Sequence, residues 1–138
     1  MTTRRVARCA CGQLSVTCEG EPEVIVACNC TWCQRRSGSP FGVAAYYKRE
    51  AVAVSGASKT FRRGVERSDR TLTNQFCPEC GGTIYWELDL RPQHIGVSVG
   101  SFADPSFAAP IRAIWTQHKH DWVAFPSDMP TFTRTASS

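Results

Sequence analysis

Seven of the eight cysteines in this chain fall into three tight groups. They are Cys9-Ala10-Cys11-Gly12, Cys28-Asn29-Cys30-Thr31-Trp32-Cys33 and Cys77-Pro78-Glu79-Cys80-Gly81-Gly82. Cysteines two or three positions apart can turn both sulfurs onto one ion. In a reducing compartment such pairs are metal sites before they are disulfides. The third group is the most specific, because Cys-Pro-x-Cys-Gly is the pattern of a zinc knuckle. The glycine just after the second thiolate permits a positive φ, which turns backbone N–H groups toward the sulfurs. The same glycines favour zinc over an iron–sulfur cluster. Tetrahedral zinc takes four ligands, and seven cysteines do not divide into fours. The arithmetic suggests one closed site of four and one open site of three. Spacing alone leaves the pairing open. Cys9 and Cys11 can join Cys77 and Cys80, leaving Cys28, Cys30 and Cys33 together. Alternatively Cys30 and Cys33 join Cys77 and Cys80, leaving Cys9 and Cys11 as orphans. All-cysteine sites most often serve folding alone, and that reading stands beside any chemical one.

The elements that must position these sulfurs belong to a single zinc-binding domain, residues 1–138, with a core over about 6–132. A chain of this length buries roughly 65–70% of the surface its unfolded form exposes, so metal sites add to a core here and do not replace one. The sequence predicts an all-β domain of many short strands. Residues 13–18 alternate, with Leu14, Val16 and Cys18 on one face. Residues 24–27 form a short apolar strand that runs into Cys28, and residues 34–38 read as a helical turn or loop. Strands are expected at 41–47, 51–54, 83–88, 95–99 and 111–117, and 60–63 pairs with 71–76. No segment has three turns of amphipathic helix. The polar end, 131–138, is expected to fray.

The net charge of +4 with a pI near 8.7 is too weak to argue nucleic-acid binding. Most of the excess is arginine: Arg4, Arg5, Arg8, Arg35, Arg36, Arg62, Arg63, Arg67 and Arg70. Guanidinium groups prefer carboxylate and phosphate, so a small anionic molecule is a fitting partner. Residues 1–8 hold no apolar leader, and no apolar run reaches the ~18 residues of a membrane span. The expectation is a cytoplasmic protein with no membrane partner. Trp32, Phe41, Tyr46, Tyr47, Tyr85 and Trp86 read as core or pocket wall. Cys18 reads as a buried, inert thiol, and His94, His118 and His120 as exposed loop residues.

Taken together, the cysteine spacing resembles the glutathione-dependent formaldehyde-activating enzyme family, which includes the centromere protein V domain. Gly38-Ser39, Phe76, Val99-Gly100-Ser101-Phe102, Asp104-Pro105, Trp122 and Met129-Pro130-Thr131-Phe132 extend the resemblance over most of the chain. The resemblance implies a β-tent of packed antiparallel sheets with zinc knuckles and two zinc ions per chain. It implies that Cys9, Cys11, Cys77 and Cys80 hold a structural zinc. Cys28, Cys30 and Cys33 would hold the second zinc, the one tied to activity. The chain departs from the family pattern at Asn29, Asn74 and Ala113, where histidine, arginine and histidine are common. These changes spare the ligands and bear on the substrate.

The chemistry so implied is carbon–sulfur bond formation, in which glutathione or a similar thiol adds to formaldehyde or another small aldehyde to give an S-hydroxymethyl adduct. The reverse is a lyase reaction. Thiolates, and not thiols, attack carbonyls, and a three-cysteine zinc has room for one soft ligand more. Arg35 and Arg36, just after Cys33, are candidates to clamp a substrate carboxylate, and Arg62 and Arg63 are weaker ones. The alternative is a non-catalytic zinc domain that carries a thiol adduct or binds a partner. Sequence gives no oligomeric state.

Overall fold

The computed structural model describes residues 3–65 and 69–135. Its ten strands are β1 (Arg4–Arg8), β2 (Ser15–Glu19), β3 (Val24–Cys28), β4 (Gly42–Lys48), β5 (Val52–Ser55), β6 (Lys59–Gly64), β7 (Thr71–Phe76), β8 (Thr83–Leu88), β9 (His94–Ser98) and β10 (Arg112–Ile114). One short helix, α1 (Thr31–Ser37), interrupts them. The strands form a three-stranded sheet, β1-β2-β5, and a seven-stranded sheet, β10-β3-β4-β9-β8-β7-β6. The expected all-β architecture of two sheets is what the chain adopts. Pairing is antiparallel except at one edge, where β10 runs parallel to β3. The 13-residue connection between β9 and β10 lets the chain travel back along the sheet before it pairs.

The core lies between the sheets. Leu14, Val16 and Cys18 reach inward from the β2 segment, as their alternation predicts, and meet Ala45 and Tyr47 of β4, Ile84 of β8, and Ile95 and Val97 of β9. Burial pushes the Cys18 thiol up to about 12, which keeps it protonated and inert. Because β-strand side chains alternate, the opposite face of the large sheet carries the other residues of the same strands. That face presents Val26 and Cys28 from β3, Ala44 and Tyr46 from β4, and Leu72 and Asn74 from β7. Strand β8 joins it through an irregularity. Gln75 pairs with Tyr85, but Phe76 pairs with Thr83, so Ile84 is an extra residue. The bulge sends Ile84 to the core and lets Trp86 face the other way. Across from it, Gly96 leaves room for the ring: a Cβ there would overlap the Trp86 indole.

Several elements differ from their sequence reading. Strand β1 was not expected, since three of its five residues are arginine, yet it pairs along its length with β2. The helix starts at Thr31, earlier than the predicted turn, with the Cys30 sulfur accepting from the Cys33 N–H at its start. Val99 leaves β9 for a 3-10 turn, and the last strand stops at Ile114 before another such turn, Thr116–His118. Within the end that the sequence expects to fray, the described residues make backbone hydrogen bonds. Pro130 and Phe132 bracket Ala113 with hydrogen bonds of 3.0 and 2.9 Å, and the Arg134 carbonyl accepts from Trp115 N–H at 2.8 Å. Arg67 and residues 136–138 lie outside the described residues.

Candidate functional site

Two sulfur clusters assemble, and they do so by different routes. The first joins the two sheets. Cys9 and Cys11 sit in the turn between β1 and β2, and Cys77 and Cys80 in the turn between β7 and β8. All four Sγ atoms lie within 4.8 Å of one another. The two turns are built alike. Gly12 and Gly81 both take φ of 81°, and their N–H groups return to the carbonyls of Cys9 and Cys77 at 3.0 and 2.8 Å. This is the positive-φ glycine that the knuckle pattern calls for. Further donors converge on the sulfurs. Leu14 N–H reaches Cys9 Sγ at 3.2 Å, Glu79 N–H reaches Cys77 Sγ at 3.3 Å, and Gln13 Nε2 reaches Cys77 Sγ at 3.2 Å. Burial pushes the Cys77 thiol up, but the N–H groups of Cys80 and Glu79 with the Gln13 amide outweigh it and bring it down to about 6.

The second cluster is local. Cys28 ends β3, Cys30 precedes α1 and Cys33 lies in its first turn, and their sulfurs also lie within 4.8 Å of one another. The alternative grouping of Cys30 and Cys33 with the knuckle Cys77 and Cys80 does not form. Hydrogen bonds from the Cys28 and Cys33 thiols bring Cys30 down to about 2, and the Cys33 N–H and the Arg63 charge add to this against burial. The same contacts push Cys28 up. The trio titrates as one set, in which a thiolate is held by hydrogen bonds from its two neighbours. Asn29 holds this loop in place. It is fully buried, and both its N–H and its Nδ2 donate to the Ile114 carbonyl, at 3.0 and 2.9 Å. Gln34 ties the helix down from the other side, donating to the carbonyls of Asn29 (2.9 Å) and His118 (3.0 Å). His120 meets the Gln34 Oε1 at 3.1 Å. The two histidines thus brace the helix from exposed positions. Neither belongs to a metal-ligating group among the described residues.

The three-sulfur cluster opens into a cavity of about 1060 Å³ over the outer face of the large sheet. Arg36 crosses its floor. Its guanidinium lies 4.4 Å from the Trp86 ring centroid, a contact made possible because Gly42 has no Cβ to occupy that space. Arg63 stacks at 4.8 Å on Trp32, which ties β6 to α1. Their charges act on Cys33 and Cys30 respectively. Arg35 reaches the same cavity from an exposed position, whereas Arg62 alternates away from it. Tyr46 faces the cavity with Arg91 over its ring at 5.0 Å, and its hydroxyl accepts from Trp86 Nε1 at 3.4 Å. Burial pushes the Tyr46 phenol up, so it stays a hydrogen-bond donor at neutral pH. Sequence reading took Tyr46 and Trp86 as core or pocket wall. The two-residue alternation from core-facing Ala45 and Tyr47 was the signal that Tyr46 faces outward.

An all-β chain with two converged cysteine clusters, one at a seam and one at a cavity, has two places that could hold a metal ion. Residues 4–118 match the family model of the glutathione-dependent formaldehyde-activating enzymes, and the chain belongs to that family. A Penicillium rubens protein provisionally named a glutathione-dependent formaldehyde-activating enzyme is 27% identical over 121 residues, covering 81% of this chain and 62% of that protein. The chain thus spans less than two thirds of the length of that relative. A crystal structure of a Rhodobacter sphaeroides protein shares the fold, with a TM-score of 0.53 over 92% of this chain and 98% of that one, at 20% identity.

Proposed function

We propose that the chain is a zinc-dependent enzyme that joins a thiol to formaldehyde or a similar small aldehyde, working in the reducing environment of the cytoplasm. The observation that carries this reading is a contrast in number and setting: three sulfurs line a cationic, aromatic cavity and leave one ligand position to fill, while four sulfurs face one another across two turns. The sulfur geometry fits zinc. A tetrahedron with Zn–S of about 2.3 Å puts sulfurs about 3.8 Å apart. Cys9 to Cys11 and Cys11 to Cys77 span 3.6 and 3.7 Å. Cys9, Cys11, Cys77 and Cys80 would hold a structural ion, and Cys28, Cys30 and Cys33 a second.

That second ion, when bound, supplies one open position that favours a soft sulfur donor in its deprotonated form. The chain's own side chains do the remaining work. Arg36 and Arg63 offset the negative charge of the thiolates, and Arg36 or Arg35 receives an acid group of the substrate. The Tyr46 hydroxyl, oriented by Trp86, donates to the aldehyde oxygen as the thiolate sulfur attacks the carbonyl carbon. The carbonyl π pair moves to that oxygen, which ends as a hydroxyl bearing the proton the thiol gave up. One thiol and one aldehyde are consumed, and one S-hydroxymethyl adduct forms. The test is exchange NMR with glutathione and formaldehyde. Adduct exchange should quicken with the wild-type protein and return to the uncatalysed rate with Cys33→Ser. Thiol binding without faster exchange would leave only a carrier of thiol adducts. No thiol binding at all would end both readings.

A further inference from the structure

The cavity beside Cys28, Cys30 and Cys33 is more cationic than a peptide thiol requires. Among the described residues that line it there is no aspartate or glutamate. Arg36 and Arg63 face the sulfurs, and their charge is matched by the thiolates. Arg35, Arg91, Arg112 and Arg134 also line it, and none has a carboxylate partner among the described residues. Arg70 reaches it too but is engaged in an interaction of its own. Glutathione has two carboxylates and one ammonium, a net charge of only about −1 at neutral pH. A site shaped for it would be expected to offer the ammonium a carboxylate, and this one lines the space with guanidiniums instead.

Three further observations describe what the extra charge would hold. The volume, about 1060 Å³, stands at the top of the roughly 300–1,000 Å³ range of small-molecule sites. Asn74 lines the cavity at 7% exposure with its Oδ1 enclosed and unpartnered, an acceptor that a turn of the side chain would offer to an N–H of the ligand. Trp115, between Arg112 and Arg134, holds a left-handed backbone at φ 57°, an unfavourable state for a bulky residue and one that often marks a site. Its N–H is pinned to the Arg134 carbonyl at 2.8 Å, and its indole, stacked with the His118 ring at 6.1 Å, lines the cavity, where a further ring could extend the stack. Guanidinium forks match phosphate oxygens in pairs.

Resting on the reading that the three-sulfur cluster is the thiol site, we propose that the preferred thiol is polyanionic. It would carry several phosphates and a flat heterocycle with an amino or amide N–H, the chemistry of coenzyme A. The phosphates lie along Arg91, Arg112 and Arg134, the N–H meets Asn74 Oδ1, and the sulfur ends at Cys28, Cys30 and Cys33.

Calorimetry on the zinc-loaded chain separates the possibilities, with coenzyme A, glutathione and desulfo-coenzyme A as the probes. Coenzyme A should bind at least tenfold tighter than glutathione, and its affinity should fall steeply with added salt. Desulfo-coenzyme A should still bind, more weakly than coenzyme A. Arg112→Gln and Arg91→Gln should each weaken coenzyme A by about tenfold with zinc content and melting temperature unchanged. If one variant misfolds, the other carries the test. Glutathione binding as tightly as coenzyme A would overturn the proposal and leave the thiol reading intact. Coenzyme A and desulfo-coenzyme A binding equally, with glutathione silent, would overturn the thiol reading and the proposal with it. Failure of both nucleotides to bind would overturn the proposal outright.

Discussion

The two sulfur clusters use the same residue type at similar spacings, yet they stand in opposite relations to the fold. The four-sulfur cluster gathers residues from 9 to 80 and joins the β1–β2 turn of one sheet to the β7–β8 turn of the other. The three-sulfur cluster lies wholly between 28 and 33, within one strand end and one helical turn. An ion in the first closes a long loop of chain and restrains the unfolded state strongly. An ion in the second closes a loop of six residues and restrains it little. A site that the fold does not depend on is free to keep a position open. Proximity in sequence is therefore what would leave the second cluster free for the chemistry proposed for it.

The comparison breaks most sharply at the knuckles. Cys80→Ser and Cys77→Ser should unfold the domain, because a structural zinc contributes on the order of 10 kcal/mol and whole domains are stable by only about 5–15 kcal/mol. Circular dichroism melts with zinc counted per chain check this, and a folded Cys80→Ser protein would reverse the assignment. Cys33→Ser should lose one zinc and thiol binding while costing only about 1 kcal/mol, a melting shift of ~4 °C. Equal losses at the two clusters would make both structural.

Two smaller changes sharpen the comparison on the open side. Gly96→Ala drives a Cβ into the Trp86 indole and should cost about 1–3 kcal/mol. It should also displace the ring that seats Arg36 and orients Tyr46, so thiol binding falls even where the protein stays folded. Trp86 fluorescence and calorimetry read both effects. The smallest contrast is between neighbours. Arg36→Ala, which removes a guanidinium stacked on Trp86, should weaken thiol binding several-fold. Arg35→Ala, at an exposed position, should change it less than twofold. The reverse ranking would move the substrate's acid group to the rim.

The knuckle turns were legible in the sequence because their chemistry is local: Cys-Pro-x-Cys-Gly prescribes its own backbone. The alternation of Leu14, Val16 and Cys18 was legible for the same reason. The cavity was not. Its arginines are scattered from Arg35 to Arg134, and only the order of seven strands brings them to one face. The bulge at Ile84 hid Trp86 as well, since strict alternation assigns both residues to one side. Strand β1 was masked by Arg4, Arg5 and Arg8, whose backbone pairs with β2 whatever the side chains are. Asn29, a departure from the family pattern, turns out to be a buried clamp on Ile114, a role set by a partner 85 residues away.

The residues that bracket Ala113 have a consequence for handling the protein. Strand β10 is the rim of the large sheet, and Pro130, Phe132 and Arg134 occupy hydrogen-bonding groups that would otherwise face solvent there. Cut away, they would leave Ala113, Trp115 and Thr116 with bare N–H groups beside the exposed Ile111 side chain. A naked sheet rim of that kind recruits strands from other molecules. Chains shortened at Met129 should therefore self-associate and precipitate on concentration, and a fusion partner attached close behind Arg134 would press on the same seal.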